Sequence, residues 1–162
     1  MTNPPLLVGL LVDGATLAVP LIVLAFLLSR FTRDIVGRSL LAIVLFAAAG
    51  AYFGFALLGR DLQIASGFWV LGELAQVIVF STMALLGLRG SSWWLVAGWA
   101  LHPLWDFVVH YIGPGRLFAP INYTVPCVSF DWLVAVYIAI AYGLVGGRRL
   151  GFREGAIYPK SL

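Results

Sequence analysis

The stretch LLVGLLVDGATLAVPLIVLAFLL, residues 6–28, decides the fold class of this chain. It contains one charged side chain, Asp13, and is otherwise almost wholly apolar. A helix needs about 20 apolar residues to cross the hydrocarbon core of a bilayer. No lysine or arginine precedes the stretch and no small-residue cleavage site follows it, so it does not fit a signal peptide. We therefore predict that it remains in the protein as a transmembrane helix.

Four further runs of the same kind follow along the chain. The sequence has 162 residues, of which 62% are hydrophobic and 10% are charged, and its mean hydropathy is +1.00. These values lie outside the range of soluble globular domains. We predict an all-α, polytopic membrane protein in which residues 1–162 form a single transmembrane domain. Its five transmembrane helices are expected near 6–28, 38–58, 67–88, 91–112 and 126–146.

The basic residues predict how this bundle is oriented. With five crossings, the N-terminus and the loops at 59–66 and 113–125 share one side, which carries Arg60 and Arg116. Cytoplasmic loops carry an excess of lysine and arginine. We therefore expect the N-terminus outside and the C-terminus in the cytoplasm, in the cytoplasmic (inner) membrane, with a basic tail on anionic lipid. The residues expected on the cytoplasmic side are Arg30, Arg33, Arg38, Arg89, Arg148, Arg149, Arg153 and Lys160.

Polar side chains recur in all five segments at a similar depth. A helical rise of about 1.5 Å per residue places most of them about 8–15 Å below the outer surface. A lone charge deep in the membrane costs at least about 2.5–3.5 kcal/mol, so such groups are expected to face inward and pair. We predict a polar layer in the outer half of the bundle and a dry cytoplasmic half. The layer contains Asp13, Tyr52, Glu73, Gln76, His102, Asp106, Cys127 and Asp131, with His110 nearer the surface.

The densest part of this layer is HPLWDFVVH, residues 102–110. His102, Asp106 and His110 are spaced i, i+4 and i+8, so they share one helix face with a drift of about 80°. Pro103 lacks a backbone N–H donor, which predicts a kink beside His102. The motif therefore predicts a polar site between helices, although its spacing is less specific than that of known zinc motifs.

The residue types in this layer suit two kinds of catalysis. Carboxylates and imidazoles are ligands for Zn, Fe or Mn, which predicts a divalent metal as a possible cofactor. The predicted metal ligands are His102, Asp106 and Glu73. Without a metal, crowded carboxylates differ in proton affinity and provide an acid beside a base. The predicted catalytic residues are Glu73, Asp106, Asp131 and His110, and the predicted pocket residues are Asp13, Tyr52, Gln76, Trp105 and Cys127.

The leading functional hypothesis is an intramembrane enzyme, a hydrolase or an isomerase, that acts on a lipid- or isoprenoid-like molecule. The alternatives are a metal- or proton-handling transport subunit, a non-catalytic subunit of a membrane complex, and a hydrogen-bond network that only fixes helix packing. The expected partners are membrane lipids and a lipid-like small molecule. Gly50 and Gly54 form a G-x-x-x-G face that allows close packing within the chain or in a homo-oligomer. No nucleic-acid signature is present, so no nucleic-acid partner is expected.

Three stretches resemble one family of proteins: WALHPLWDFVVH, PCVSFD and the GE of the preceding helix. The family consists of small, uncharacterised bacterial integral membrane proteins of about five helices. The resemblance covers roughly residues 48–140 and implies which residues matter, but no activity. The family pattern often has a second histidine at Val109 and a second cysteine at Phe130. The resemblance rests on Tyr52, Glu73, His102, Trp105, Asp106, His110, Cys127 and Asp131.

Overall fold

The computed structural model describes residues 3–61 and 65–144, and these contain helices and no strand. This confirms the predicted all-α fold. A short 3₁₀ helix, Pro114–Leu117, lies between the fourth and fifth long helices. The long helices are α1 (Pro4–Phe31), α2 (Asp34–Asp61), α3 (Gly67–Arg89), α4 (Trp93–Trp105) with a π-helical extension (Asp106–Ile112), and α5 (Ile121–Ile138) with a π-helical extension (Ala139–Leu144).

Four of the helices in the described ranges are long and apolar enough to cross a membrane. They are α1, α2, α3 and α5 with its extension. Helix α4 itself has 13 residues, and its π-helical extension continues it to Ile112. The chain therefore has the composition of a membrane protein.

The observed helix ends differ from the predicted ones chiefly in α5. The prediction started this helix at Pro126, whereas the amide groups of Tyr123 and Thr124 already donate to the carbonyl of Pro120. Pro126 lies within the helix, so the chain turns into α5 at Ile121 and not at the later proline. The predicted end at residue 146 lies outside the described residues.

The five helices form a closed ring. Each one packs against the next along the chain, and α1 also packs against α5. The contact between α1 and α5 is very close at Gly14, where an added Cβ would lie 2.0 Å from the carbonyl oxygen of Pro126. The Ser129 hydroxyl also donates to the Leu11 carbonyl at 2.6 Å. This ring leaves an interior that all five helices surround.

The interior has an apolar part and a polar part. Large aliphatic side chains on the outside of the ring are exposed, for example Leu17, Ile43 and Leu71. This arrangement suits a protein whose outer surface faces lipid, where polar groups are expected inside the bundle. The largest members of the apolar core are Leu41, Leu45, Phe80, Leu95, Trp99, Val134 and Ile138. The buried polar side chains are Glu73, Gln76, Ser92, His102, Asp106, His110, Thr124 and Asp131.

Contacts close to the helix ends identify the two ends of the bundle. At one end the Arg38 guanidinium donates to the carbonyl of Gly87, and the hydroxyls of Ser29 and Tyr142 lie 2.6 Å apart. At the other end Gly59 packs closely against Phe118. Arg30, Arg33, Arg38 and Arg89 therefore share the first end, whereas Arg60 and Arg116 belong to the second. The predicted basic tail, with Arg148, Arg149, Arg153 and Lys160, lies outside the described residues.

The predicted G-x-x-x-G face has no partner helix in the described part of the chain. A Cβ added at Gly50 or at Gly54 would meet nothing within 4 Å. The close approaches between helices occur at other glycines, such as Gly14 and Gly98. Contact between helices of this bundle therefore does not depend on Gly50 and Gly54.

Candidate functional site

Helix α4 changes from α-helical to π-helical at Asp106, in the middle of the motif HPLWDFVVH. The amide N–H of Asp106 is shared between the carbonyls of His102 and Pro103. Short π-helical segments often mark functional sites. The irregularity predicted beside Pro103 thus takes the form of a wider helical turn, and His102, Asp106 and His110 all point into the bundle, with at most 2% exposure.

Five ionisable side chains follow one another inside the bundle, and we call them the acid–base chain. It begins at Asp131, whose Oδ2 accepts a hydrogen bond from Nδ1 of His102 at 2.8 Å. The same nitrogen lies 3.5 Å from Oδ2 of Asp106, and Oδ1 of Asp106 lies 3.6 Å from Nδ1 of His110. Nε2 of His110 lies 2.9 Å from Oε1 of Glu73. Carboxylates and imidazoles therefore alternate along the whole chain.

The acid–base chain is buried and contains more acidic than basic groups. Each of its five side chains is at most 2% exposed. Within the described ranges no arginine or lysine forms an ion pair with any of its three carboxylates. Neither oxygen of Asp106 has a hydrogen bond of normal geometry, although both are buried. Buried polar groups are usually satisfied, so Asp106 is the least satisfied member of the acid–base chain.

Aromatic rings enclose the two histidines. The ring of Tyr52 stacks on that of His110, with centroids 4.0 Å apart, and Phe80 packs edge-on against His102 at 4.9 Å. Tyr123 packs edge-on against Tyr52 at 5.4 Å. These rings exclude water from the imidazoles, which strengthens the electrostatic interactions between the charged groups.

The segment between α4 and α5 covers His110. Sequence considerations placed this histidine close to the membrane surface, but its side chain is only 2% exposed. An added Cβ at Gly115 would lie 2.6 Å from Cδ2 of His110, and the Phe118 ring lies edge-on at 6.0 Å. The segment that contains the 3₁₀ helix thus covers the His110 end of the acid–base chain, and only glycine fits at position 115 without displacing a neighbour.

A cleft of about 750 Å³ lies between α1, α2 and α5. Its wall is mainly apolar, and no lysine or arginine is among the described residues that line it. Asp131 belongs both to this wall and to the acid–base chain. Its Oδ1 has no hydrogen-bond partner in the part of the chain that the structure describes. The polar residues of the wall are Asp13, Thr16, Asn122, Tyr123, Cys127 and Asp131.

The structure brings most of the predicted site residues together, in two groups. Gln76 is buried like the acid–base chain and donates to the Ala49 carbonyl at 2.7 Å, and Trp105 is half-buried. Asp13 and Cys127 are instead part of the cleft, where Asp13 is exposed and Cys127 is half-buried. The acid–base chain contains Glu73, His102, Asp106, His110 and Asp131, with Tyr52 stacked on it.

One group of side chains could hold a metal ion, and its composition differs from the predicted ligand set. His102, Asp106 and Asp131 each offer a ligand atom, and these atoms lie within 4.8 Å of one another. Glu73, the predicted third ligand, is paired with His110. The difference arises because Glu73 on α3 lies beside His110 at the end of the motif. Asp131 on α5 lies beside His102 at its beginning.

Sequence reasoning missed three residues of the site. Thr124 is 1% exposed, and Phe80 and Phe118 pack edge-on against the histidines. Thr124 precedes Asp131 by two helical turns, so the helical period of α5 could have identified it. The two phenylalanines carry no comparable signal, because phenylalanine is common throughout an apolar chain.

Comparison with known proteins agrees with the resemblance noted from the sequence. No curated protein and no solved structure matches the chain. One family model matches residues 14–148, a span that includes the whole acid–base chain and most of the cleft. The predicted membership of an uncharacterised family is therefore confirmed: the chain belongs to DUF6010, a family of unknown function.

Proposed function

We propose that this protein is an intramembrane enzyme that acts on a neutral, lipid-like substrate in a bacterial cytoplasmic membrane. The observation that supports this most directly is that Asp131 belongs both to the cleft wall and to the acid–base chain. Asp131 is among the residues that line the cleft, and its carboxylate also accepts the hydrogen bond from His102. A molecule in the cleft would therefore lie beside a member of the buried acid–base chain.

The cleft favours a substrate with a long apolar part. Its volume of about 750 Å³ is within the range of about 300–1,000 Å³ found for small-molecule sites. Leu10, Leu17 and Val44 are among the residues that supply its apolar wall. Phosphate groups are usually bound by arginine or lysine, and neither is found among the described residues of the cleft wall. A lipid or isoprenoid with a hydroxyl, ester or carbon–carbon double bond fits this wall better than a phospholipid headgroup.

The arrangement supports proton transfer. Asp131 Oδ1 is the base that accepts a proton from the substrate or from a water molecule beside it. The hydrogen bond from His102 holds the carboxylate in position, and Asp131 keeps the proton until it returns it. An isomerase would return this proton to a different substrate atom, and a hydrolase would deliver it to the leaving group. In both cases no net proton is gained or lost.

The rest of the acid–base chain supports this pair. Asp106 lies between the two histidines and stabilises positive charge on either ring. Glu73 anchors His110 at the far end. The acid–base chain can therefore gain or lose one proton during the reaction, because the resulting change in charge is shared among several buried side chains.

A conducting function has less support. Between the acid–base chain and the arginine-rich end lies an apolar core that includes Leu41, Leu45, Leu95 and Ile138. Proton and ion pathways in membranes are lined by polar or ionisable groups. The polar groups therefore end inside the bundle in the described residues, which favours chemistry over conduction.

The experiment compares lipid conversion by matched variants. The purified full chain is reconstituted with a total bacterial lipid extract, and the lipids are measured by untargeted mass spectrometry over time. We expect one neutral species to decrease and another to increase with the wild type. Asp131→Asn should slow this change by at least about 100-fold, since general acid–base groups contribute about 10²–10⁴-fold. Asp13→Asn is the control, because Asp13 lines the same cleft outside the acid–base chain. Equal lipid composition in all samples would disprove the proposal.

A further inference from the structure

We infer that His102, Asp106 and Asp131 bind a divalent transition-metal ion. Their ligand atoms lie within 4.8 Å of one another, although α4 supplies two of the residues and α5 the third. The inference concerns residues used in the proposed function but does not depend on it, because metal binding and lipid conversion are separate properties.

The first support is the unsatisfied carboxylate of Asp106. This side chain is fully buried, and the nearest imidazole nitrogens lie 3.5 and 3.6 Å from its oxygens. These distances are too long for normal N–H···O hydrogen bonds. Neither oxygen of Asp106 therefore has a hydrogen bond of normal geometry, which leaves both free to contact a bound ion. Asp131 Oδ1 and His102 Nε2 are further buried atoms without a partner among the described residues.

The second support is the balance of charge. Three carboxylates and two imidazoles are buried together, so with all three carboxylates ionised the group is negative even when both histidines are protonated. No arginine or lysine in the described ranges pairs with it. An uncompensated buried charge is costly, and binding a cation removes this cost. A divalent ion beside Asp106 and Asp131 would balance two of the three carboxylates.

The third support is the chemistry of the donor set. One imidazole with two carboxylates suits Zn²⁺, Mn²⁺ or Fe²⁺, whereas Mg²⁺ and Ca²⁺ prefer oxygen ligands alone. Three protein ligands leave a coordination position for water or for a substrate oxygen, as in catalytic sites. When bound, such an ion would supply Lewis acidity. Because Asp131 also lines the cleft, a substrate in the cleft would lie beside the ion.

Glu73 provides a matched control. It is a fully buried carboxylate of the same acid–base chain, but it pairs with His110 at 2.9 Å and is not among the three grouped ligands. Substitution by glutamine removes its charge and keeps its size. Asp106→Asn and Asp131→Asn likewise replace a carboxylate by an amide of similar size, and each of them removes a proposed metal ligand. The three variants thus separate loss of a ligand from loss of a nearby buried charge.

The experiment measures metal binding directly. The full chain is purified in detergent without a polyhistidine tag, stripped with a chelator, and titrated with Zn²⁺, Mn²⁺ and Mg²⁺, with bound metal counted by elemental analysis. We expect the wild type and Glu73→Gln to bind close to one Zn²⁺ or Mn²⁺ per chain, and Mg²⁺ more weakly. Asp106→Asn and Asp131→Asn should bind at least about 100-fold more weakly, since losing even a supporting partner of a ligand costs about 10–100-fold.

Three results would overturn the inference: no binding by folded wild type, unchanged binding in Asp106→Asn, or an equal loss in Glu73→Gln. Circular dichroism and gel filtration establish folding, and His102→Gln replaces any aspartate variant that does not fold. Lipid conversion by a folded wild type that binds no metal would overturn the metal site and leave the proposed function intact. Metal binding without lipid conversion would do the reverse.

Discussion

The rings of Tyr52 and His110 stack almost in parallel, with centroids 4.0 Å apart and planes inclined by 7°. Tyr52 comes from α2 and is fully buried, whereas His110 comes from the π-helical extension of α4. The stack fixes the plane of the imidazole, whose Nε2 bonds to Glu73. An aromatic side chain with no charge of its own therefore positions one end of the acid–base chain.

The first prediction concerns this stack. Tyr52→Ala removes a buried ring and should destabilise the protein by about 3–5 kcal/mol, as is typical when large aromatic residues in a core are truncated. Tyr52→Phe keeps the ring and should cost less than about 1.5 kcal/mol, which is the scale of one hydrogen bond. Thermal unfolding in detergent measures both effects. Equal destabilisation by the two substitutions would show that the hydroxyl, and not the stack, holds this region together.

A second prediction concerns the segment that covers His110. Gly115→Ala would bring a Cβ within 2.6 Å of the imidazole and within 2.8 Å of the Val109 carbonyl oxygen, so either His110 or the segment that covers it must shift. We expect a loss of stability of about 1–3 kcal/mol. We also expect lipid conversion to fall on the order of 100-fold, because small displacements of positioned groups have effects of this size.

The control for this substitution is Gly9→Ala. An added Cβ at Gly9 meets nothing within 4 Å, and alanine favours the helix. Stability and lipid conversion should therefore remain at the wild-type level or rise slightly. If Gly115→Ala also behaved like the wild type, the segment after α4 would not constrain His110.

The third prediction tests the cleft as the substrate site. Ala48 lies on the cleft wall, so Ala48→Phe should fill part of its volume and reduce both lipid binding and conversion by at least about tenfold, a free-energy change of about 1.4 kcal/mol. Ala75 is exposed on α3 and does not line the cleft, so Ala75→Phe should have no such effect. Quantification of lipid that co-purifies with each variant measures binding. A similar reduction in both variants would indicate a general effect of an added aromatic ring.

The fourth prediction concerns orientation. Arg30, Arg33, Arg38 and Arg89 share one end of the bundle, which the positive-inside rule assigns to the cytoplasm. A fluorescent protein fused to the C-terminus should therefore be bright, and a periplasm-dependent phosphatase in the same place should be inactive. The same two reporters fused to the N-terminus behind an export-compatible linker should give the opposite result. An active phosphatase at the C-terminus would reverse the proposed orientation and place the acid–base chain nearer the cytoplasm.

The sequence was most informative where a strong physical rule applied. Long apolar runs predicted the helical fold, because a bilayer requires such lengths. The cost of buried charge correctly predicted that Glu73, Asp106 and Asp131 would face the interior and lie close to histidines. The same rule did not hold for Asp13, which is exposed in the cleft. Asp13 instead lines the cleft together with other polar residues, such as Thr16 and Asn122.

The pairing within the site could not be predicted from spacing alone. His102 and His110 each have more than one carboxylate within reach, and rotations of α3 and α5 decide which one is bonded. The structure pairs His102 with Asp131 and His110 with Glu73. The π-helical turn at Asp106 rotates His110 about the helix axis relative to its position in a regular α-helix. The spacing of residues in the sequence does not predict this turn.

The most direct test of the central claim is to identify the lipid held by Asp131→Asn. This variant keeps the cleft but lacks the base, so it should retain a substrate that the wild type converts. Native mass spectrometry of the purified variant would identify the bound lipid, which is then supplied to the wild type. The account predicts a neutral lipid that the wild type transforms and Asp131→Asn leaves unchanged. A variant that holds no lipid, or a bound lipid that the wild type also leaves unchanged, would contradict the claim that Asp131 joins the cleft to a catalytic acid–base chain.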